Sequence, residues 1–198
     1  MEDKYLREKL IDAARRIDRR NLQTNNGGNF SARCGENRML VKPSDVTFSE
    51  AIPEGLVYAD FKGIPLFDGL KPSKESVLHG LIYENFTQIG AIMHCHSPWA
   101  TAWAESMLPL DFCTYHAGLK LGDCVPVFDT ESYAVPVEKA VIIIDELLKN
   151  YHGTKAFLLR RHGLMAMGND VVEAVNIAEL VEETAMISML SRMCRFNQ

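Results

Sequence analysis

The chain has 198 residues and a formal net charge of −5, with its Lys and Arg residues dispersed, which excludes an electrostatic footprint for nucleic acid or an anionic membrane surface. Cys34, Cys95, Cys113, Cys124 and Cys194 are an odd number at irregular spacing with no C-x-x-C pair, so a reducing compartment is expected and a disulfide framework is not. The first residues are charged and amphipathic and no later stretch is long enough to span a bilayer, so the expectation is a soluble, cytoplasmic protein with one domain over residues 1–198.

Tyr5, Leu6, Leu10, Ile11, Ala13, Ala14 and Ile17 fall at helical spacing and predict an N-terminal helix ending near Asn21. Strand signals follow at 29–33, 39–41, 55–59 and 64–67, separated by Gly, Pro, Asn and Asp turns. Pro72-Ser73-Lys74-Glu75 reads as a helix start with Ser73 as N-cap, and Val77, Leu78, Leu81, Ile82 and Phe86 supply the apolar stripe. A strand at 91–96, a helix from Pro98, a strand at 124–128 and a helix over 137–149 come next. Two strands flanking His162 and a long helix from Val171 to about Arg195 close the chain. This order predicts an α/β fold: a three-layer α/β/α single domain with a central sheet. The connections within 29–67 are too short for crossover helices, so the sheet is expected to be mainly antiparallel.

The most informative stretch is Met93-His94-Cys95-His96-Ser97-Pro98 at the end of an apolar run. In a strand, His94 and His96 project from one face and present two imidazoles side by side. His162, in Arg160-Arg161-His162-Gly163-Leu164, offers a third directly after the apolar segment 156–159. Three protein ligands and an open coordination position suit a catalytic divalent metal. Read alone, the H-x-H pair is equally two unrelated polar residues; His162 at the end of another buried strand favours the metal.

Three further segments carry possible anion or proton chemistry. Asn25-Asn26-Gly27-Gly28-Asn29-Phe30-Ser31 lets backbone amides approach an anion closely, or is an ordinary Asn/Gly turn. Lys42-Pro43-Ser44-Asp45 is a short turn with a hydroxyl donor. Near a helix start the dipole favours the ionised form of Glu75, which is either a simple first-turn acid or, beside the histidines, a metal ligand or proton-exchanging group. Ser73 and Lys74 would aim donors and a positive charge at an anion there. His79, His116 and His152 lack such a pattern and read as structural or surface groups.

Taken together, Gly28-Asn29-Phe30-Ser31, Lys42-Pro43-Ser44, Pro72-Ser73-Lys74-Glu75, His94-Cys95-His96 and Arg161-His162-Gly163 resemble the class II aldolase/adducin family in order and spacing. The resemblance implies zinc, or another divalent metal, on His94, His96 and His162. It makes Glu75 the acid/base group, itself able to ligate zinc when substrate is absent. It places Gly28, Asn29, Ser44 and Ser73 on phosphate-binding positions, implying a small phosphorylated sugar as substrate. It also implies a fourfold-symmetric homotetramer with active sites at subunit interfaces.

The implied activity is reversible retro-aldol cleavage of a ketose 1-phosphate, such as L-fuculose 1-phosphate, to dihydroxyacetone phosphate and an aldehyde. Glu at position 75, where the family's epimerases carry Asp, leans toward an aldolase. A pentulose-5-phosphate 4-epimerase and a methylthioribulose-1-phosphate dehydratase use the same family site, and adducin-type relatives use the fold as a non-catalytic interaction module. The chain departs from the family pattern at three places. Lys74 stands where a second hydroxyl is usual and Asp45 where glycine is common. Val127 stands where the fuculose-phosphate aldolase has a catalytic tyrosine, with Tyr115 and Tyr133 nearby in sequence.

Overall fold

In the computed structural model, which describes residues 2–195, six helices and seven strands follow one another in the predicted order, with one short helix added and one strand missing. They are α1 (Glu2–Arg19), β1 (Asn29–Gly35), β2 (Arg38–Val41), β3 (Val57–Ala59), α2 (Ser76–Asn85), β4 (Ala91–Cys95) and α3 (Pro98–Ala104). Then come α4 (Tyr115–Lys120), β5 (Val127–Phe128), α5 (Val137–Asn150), β6 (Ala156–Leu159), β7 (Gly163–Gly168) and α6 (Val171–Arg195). The strands form one sheet in the order β3-β2-β1-β4-β7-β6-β5. Every pairing is antiparallel except β5 with β6, so the sheet is mixed with a single parallel edge.

Successive strand residues point to opposite faces, and both faces of this sheet are apolar. Phe30, Ala32, Leu40, Ala91, Met93, Ala156, Leu158, Leu164 and Ala166 pack into a core with α1, α3 and α6. Met39, Val41, Ile92, Phe157, Leu159, Met165 and Met167 pack into a second core with α2 and α5. Two cores on opposite faces of one sheet are what make the domain three-layered. No described helix is long and apolar enough to cross a membrane, and all five cysteines are free thiols.

Several local expectations are corrected. Residues 64–67 form no strand: Pro65 has no N–H to give a ladder, so the segment only folds back on β3 through an isolated Ala59–Pro65 bridge and a 2.9 Å bond from Leu66 N–H to the Tyr58 carbonyl. Pro53–Gly55 is a 3₁₀ turn, so the strand foreseen at 55–59 narrows to Val57–Ala59. The strand at 124–128 shortens to Val127–Phe128. Ser73 does not cap α2; Glu75 occupies that position without a side-chain cap bond, and the Ser73 carbonyl accepts from the Ser76 hydroxyl at 2.5 Å. The six-residue α4, capped by Thr114 Oγ1 accepting from Ala117 N–H at 3.2 Å, is too short to show helical periodicity.

Candidate metal centre and active site

The alternation that builds the cores also builds the site. Asn29 and His94 are directly opposite on β1 and β4, and both share a parity with Ile92, whose side chain lies in the α2-side core. His94 thereby projects beneath the start of α2, where Glu75 sits. His96 lies just past the end of β4, and His162 sits in the turn between β6 and β7. The three Nε2 atoms converge: His94 is 3.1 Å from His162 and 3.2 Å from His96. Together the three residues offer ligand atoms all within 4.8 Å of one another.

Each imidazole is held by neighbours. His94 Nδ1 lies 2.9 Å from the Leu164 carbonyl, which fixes its proton there and leaves the Nε2 lone pair facing the cluster. The His96 backbone N–H donates to Gln23 Oε1 at 2.8 Å, and its ring lies over Gly27. A Cβ at Gly27 would come within 2.7 Å of His96 Cε1 and Nδ1. Gly28, at φ +60°, faces Gln23 and the His94 carbonyl equally closely. Gly27 is thus required by the His96 ring, and Gly28 by its positive φ and by the Gln23 side chain that anchors His96. The turn carrying His162 is anchored by Arg160, which bonds Asp129 at 2.9 Å and Glu105 at 2.8 Å, while Arg161 joins Glu105 at 3.1 Å.

Glu75 is 6% exposed, and its carboxylate turns toward the imidazoles. Oε2 lies 3.1 Å from His94 Nε2 and Oε1 3.5 Å from His162 Nε2, while the Asn29 amide donates to Oε2 at 2.8 Å. Burial opposes the ionised carboxyl, but the imidazoles and the Asn29 amide outweigh it and hold Glu75 well below the usual carboxylate range. Burial likewise lowers His94, and pushes His96 and His162 down to about 4, so all three are neutral near pH 7. Neutral imidazole lone pairs aimed at one point beside an anionic oxygen repel one another unless a cation joins them. Imidazole nitrogen and carboxylate oxygen are also the donor set of catalytic zinc, so the residues fit a divalent ion. Gly27→Ala is expected to push the His96 ring aside and weaken metal binding about tenfold while preserving the fold, read by cobalt or zinc titration and thermal melting.

The remaining foreseen residues are placed as follows. An isolated Pro43–Pro72 bridge sets the Ser44 turn against the Ser73 turn, with Ser73 N–H donating to the Lys42 carbonyl at 3.0 Å. Ser44 Oγ donates to the Pro72 carbonyl at 2.9 Å, so its hydroxyl is already engaged. Lys74 is exposed and its Nζ lies 5.8 Å from the Tyr133 ring centre. Asp45 is exposed at φ +61°, and Tyr115 projects fully into solvent. His116 and His152 are on the surface. One residue escaped the sequence reading, and another was read only as part of a turn motif. Gln23 anchors His96 from a distant segment, which no local signal reveals. Lys42 is 1% exposed, donates to the carbonyls of Pro43 and Val46 at 3.2 and 2.5 Å, and is lowered by burial to about 8; its one sequence clue is a Lys between Met39-Leu40-Val41 and Pro43.

A three-layer domain with three convergent imidazoles and a buried carboxylate between sheet and helix has the architecture of a class II aldolase-type enzyme. Residues 8–189 match the class II aldolase and adducin N-terminal domain, and the chain belongs to this family. It is 29% identical over 195 residues to L-ribulose-5-phosphate 4-epimerase UlaF of Salmonella paratyphi C, covering 94% of this chain and 85% of that protein. It is 32% identical over 197 residues to 3-oxo-tetronate 4-phosphate decarboxylase of Haemophilus influenzae, covering 94% of this chain and 88% of that protein. Among solved structures it resembles the L-fuculose-1-phosphate aldolase of Thermus thermophilus, with a TM-score of 0.84, 25% identity, and coverage of 98% of this chain and 97% of that one.

Proposed function

We propose that this protein is a zinc-dependent lyase that reversibly cleaves a ketose 1-phosphate to dihydroxyacetone phosphate and an aldehyde, with His94, His96 and His162 as metal ligands and Glu75 as the acid/base. The observation that carries this reading is the buried Glu75 carboxylate held against the converging imidazoles. A divalent ion in that position supplies a Lewis acid that draws electron density from a carbonyl oxygen. Glu75 removes the proton from the adjacent carbon in the synthetic direction and returns it in cleavage. Asn29 occupies Oε2, and Oε1 has no hydrogen-bond partner among the described residues, so Oε1 carries the proton. A lysine Schiff base has no part in this reading, in which the Lys42 ammonium stays tied to two backbone carbonyls.

Gly28, Ser73 and Lys74 bind the phosphate in this reading, supported by the two facing turns that bring Ser44 and Ser73 together beside Lys74, while Asn29 and Ser44, whose donors go to Glu75 and to the Pro72 carbonyl, hold the site in shape. Lys74→Ala is expected to raise KM about tenfold while changing kcat little, because its charge serves ground state and transition state alike. Steady-state kinetics on a phosphorylated substrate checks this; a loss confined to kcat contradicts it. A homotetramer with sites at subunit contacts belongs to the same reading, supported by the exposed apolar Ile64, Leu66, Phe67 and Leu70. So does a cytoplasmic location, supported by five free thiols.

The named relatives favour a second reading, in which the same site epimerises or decarboxylates a phosphorylated sugar or sugar acid. Decarboxylation was not among the expectations drawn from the sequence. Incubating the metal-loaded protein with dihydroxyacetone phosphate in deuterium oxide separates the readings. The lyase exchanges one carbon-bound proton for deuterium, and no exchange overturns it.

A further inference from the structure

Beneath Glu75, between β1 and α2, lies a polar cluster that the chemistry above leaves unused. Ser31, His79 and Tyr83 are all 0% exposed. Ser31 Oγ is 2.7 Å from His79 Nδ1 and 2.7 Å from the Tyr83 hydroxyl. Burial keeps the His79 imidazole neutral, down to about 3, and raises the Tyr83 phenol, so each carries one proton.

Those protons run in one direction. Among the described residues Ser31 is the only partner of the Tyr83 hydroxyl, so Tyr83 donates to Ser31 and Ser31 donates onward to His79 Nδ1. The reverse direction strands a buried phenolic hydrogen without an acceptor, which folded proteins avoid. The imidazole proton therefore sits on Nε2. That N–H is buried without a partner, and so is the Asn29 side-chain oxygen, two residues before Ser31 on the same face of β1. Asn29 already gives its amide N–H to Glu75. A donor without an acceptor thus ends the Tyr83–Ser31–His79 chain, and an acceptor without a donor ends the separate Asn29–Glu75 pair, both chains running from the same face of β1 to α2 and the turn before it.

We propose that His79 is a positioning residue, whose Nε2–H, fixed by Tyr83 and Ser31, reaches the Asn29 side-chain oxygen through one buried water and locks the Asn29 NH₂ toward Glu75. Two polar partners are enough to hold a buried water. With the amide reversed, its oxygen would face the Glu75 carboxylate and repel it. The role rests on Glu75 being the acid/base, but the position of the His79 proton can be read without any substrate.

The test uses ¹⁵N-labelled full-length protein and two-bond proton–nitrogen correlations of its imidazoles, with His79 assigned by loss of its signal in His79→Gln. The expected spectrum has Nε2 protonated and Nδ1 bare, shifting toward the other tautomer in Ser31→Ala. An Nδ1–H tautomer in the wild type overturns the proposal. Ser31→Ala is expected to slow deuterium exchange into dihydroxyacetone phosphate about tenfold through kcat, with KM and the cobalt dissociation constant unchanged. Tyr83→Phe, which keeps the packing, should cost about threefold, and His79→Gln, which retains an N–H, should exchange faster than His79→Ala. Exchange at the wild-type rate in Ser31→Ala, or parallel loss of cobalt binding and kcat, contradicts a positioning role. No exchange in the wild type removes the Glu75 reading and this role with it, even if the tautomer is as expected.

Discussion

Glu75→Gln is expected to retain the fold and the metal yet lose deuterium exchange into dihydroxyacetone phosphate by about 10³-fold, the scale of a lost acid/base group. The side chain keeps its size, and its carbonyl oxygen can still accept from Asn29, now 2.8 Å from Oε2. What disappears is the oxygen that carries a proton. Because the three imidazoles converge independently of Glu75, the metal should remain, as elemental analysis and melting temperature would report. Exchange near the wild-type rate removes Glu75 from proton transfer. Loss of metal instead makes Glu75 chiefly a ligand.

His96→Ala is expected to abolish both stoichiometric metal and activity. His96 is the better probe than His94 because it lies beyond the end of β4 and is only half-buried, whereas truncating the 0%-exposed His94 opens a cavity in the core. Removing one of three convergent nitrogens leaves two imidazoles, one short of the three-imidazole set, with only the Glu75 carboxylate, already given to Asn29 through Oε2, to make up the number. Elemental analysis should find one metal per chain in the wild type and essentially none in the dialysed variant, with little change in melting temperature. Stoichiometric metal in the variant, or none in the wild type expressed with zinc, contradicts the assignment.

The parts of this molecule that were legible in the sequence are those written in local patterns. Alternating apolar residues such as Phe30, Ala32 and Met39, Val41 mark strands buried on both faces, and the layers follow. The H-x-H pair and His162 were readable because each ends an apolar segment, and the structure brings them together. Boundaries failed where one residue overrides the pattern, as Pro65 does at 64–67, or where an element is as short as β5 or α4. Contacts made only by tertiary folding were invisible. Asn29 reads as an anion-site residue, yet its amide is spent on Glu75, 46 positions away, and Gln23 serves His96, 73 positions away.

Retro-aldol cleavage is tested by assaying the zinc-loaded protein against a panel of ketose phosphates and their unphosphorylated counterparts, with release of the aldehyde fragment as the readout and its dihydroxyacetone phosphate or dihydroxyacetone partner identified. The account predicts release from a ketose 1-phosphate, little or none from the free sugar, and loss on chelation with recovery on adding zinc. No dihydroxyacetone phosphate from any ketose 1-phosphate, with an epimer formed instead, would contradict it.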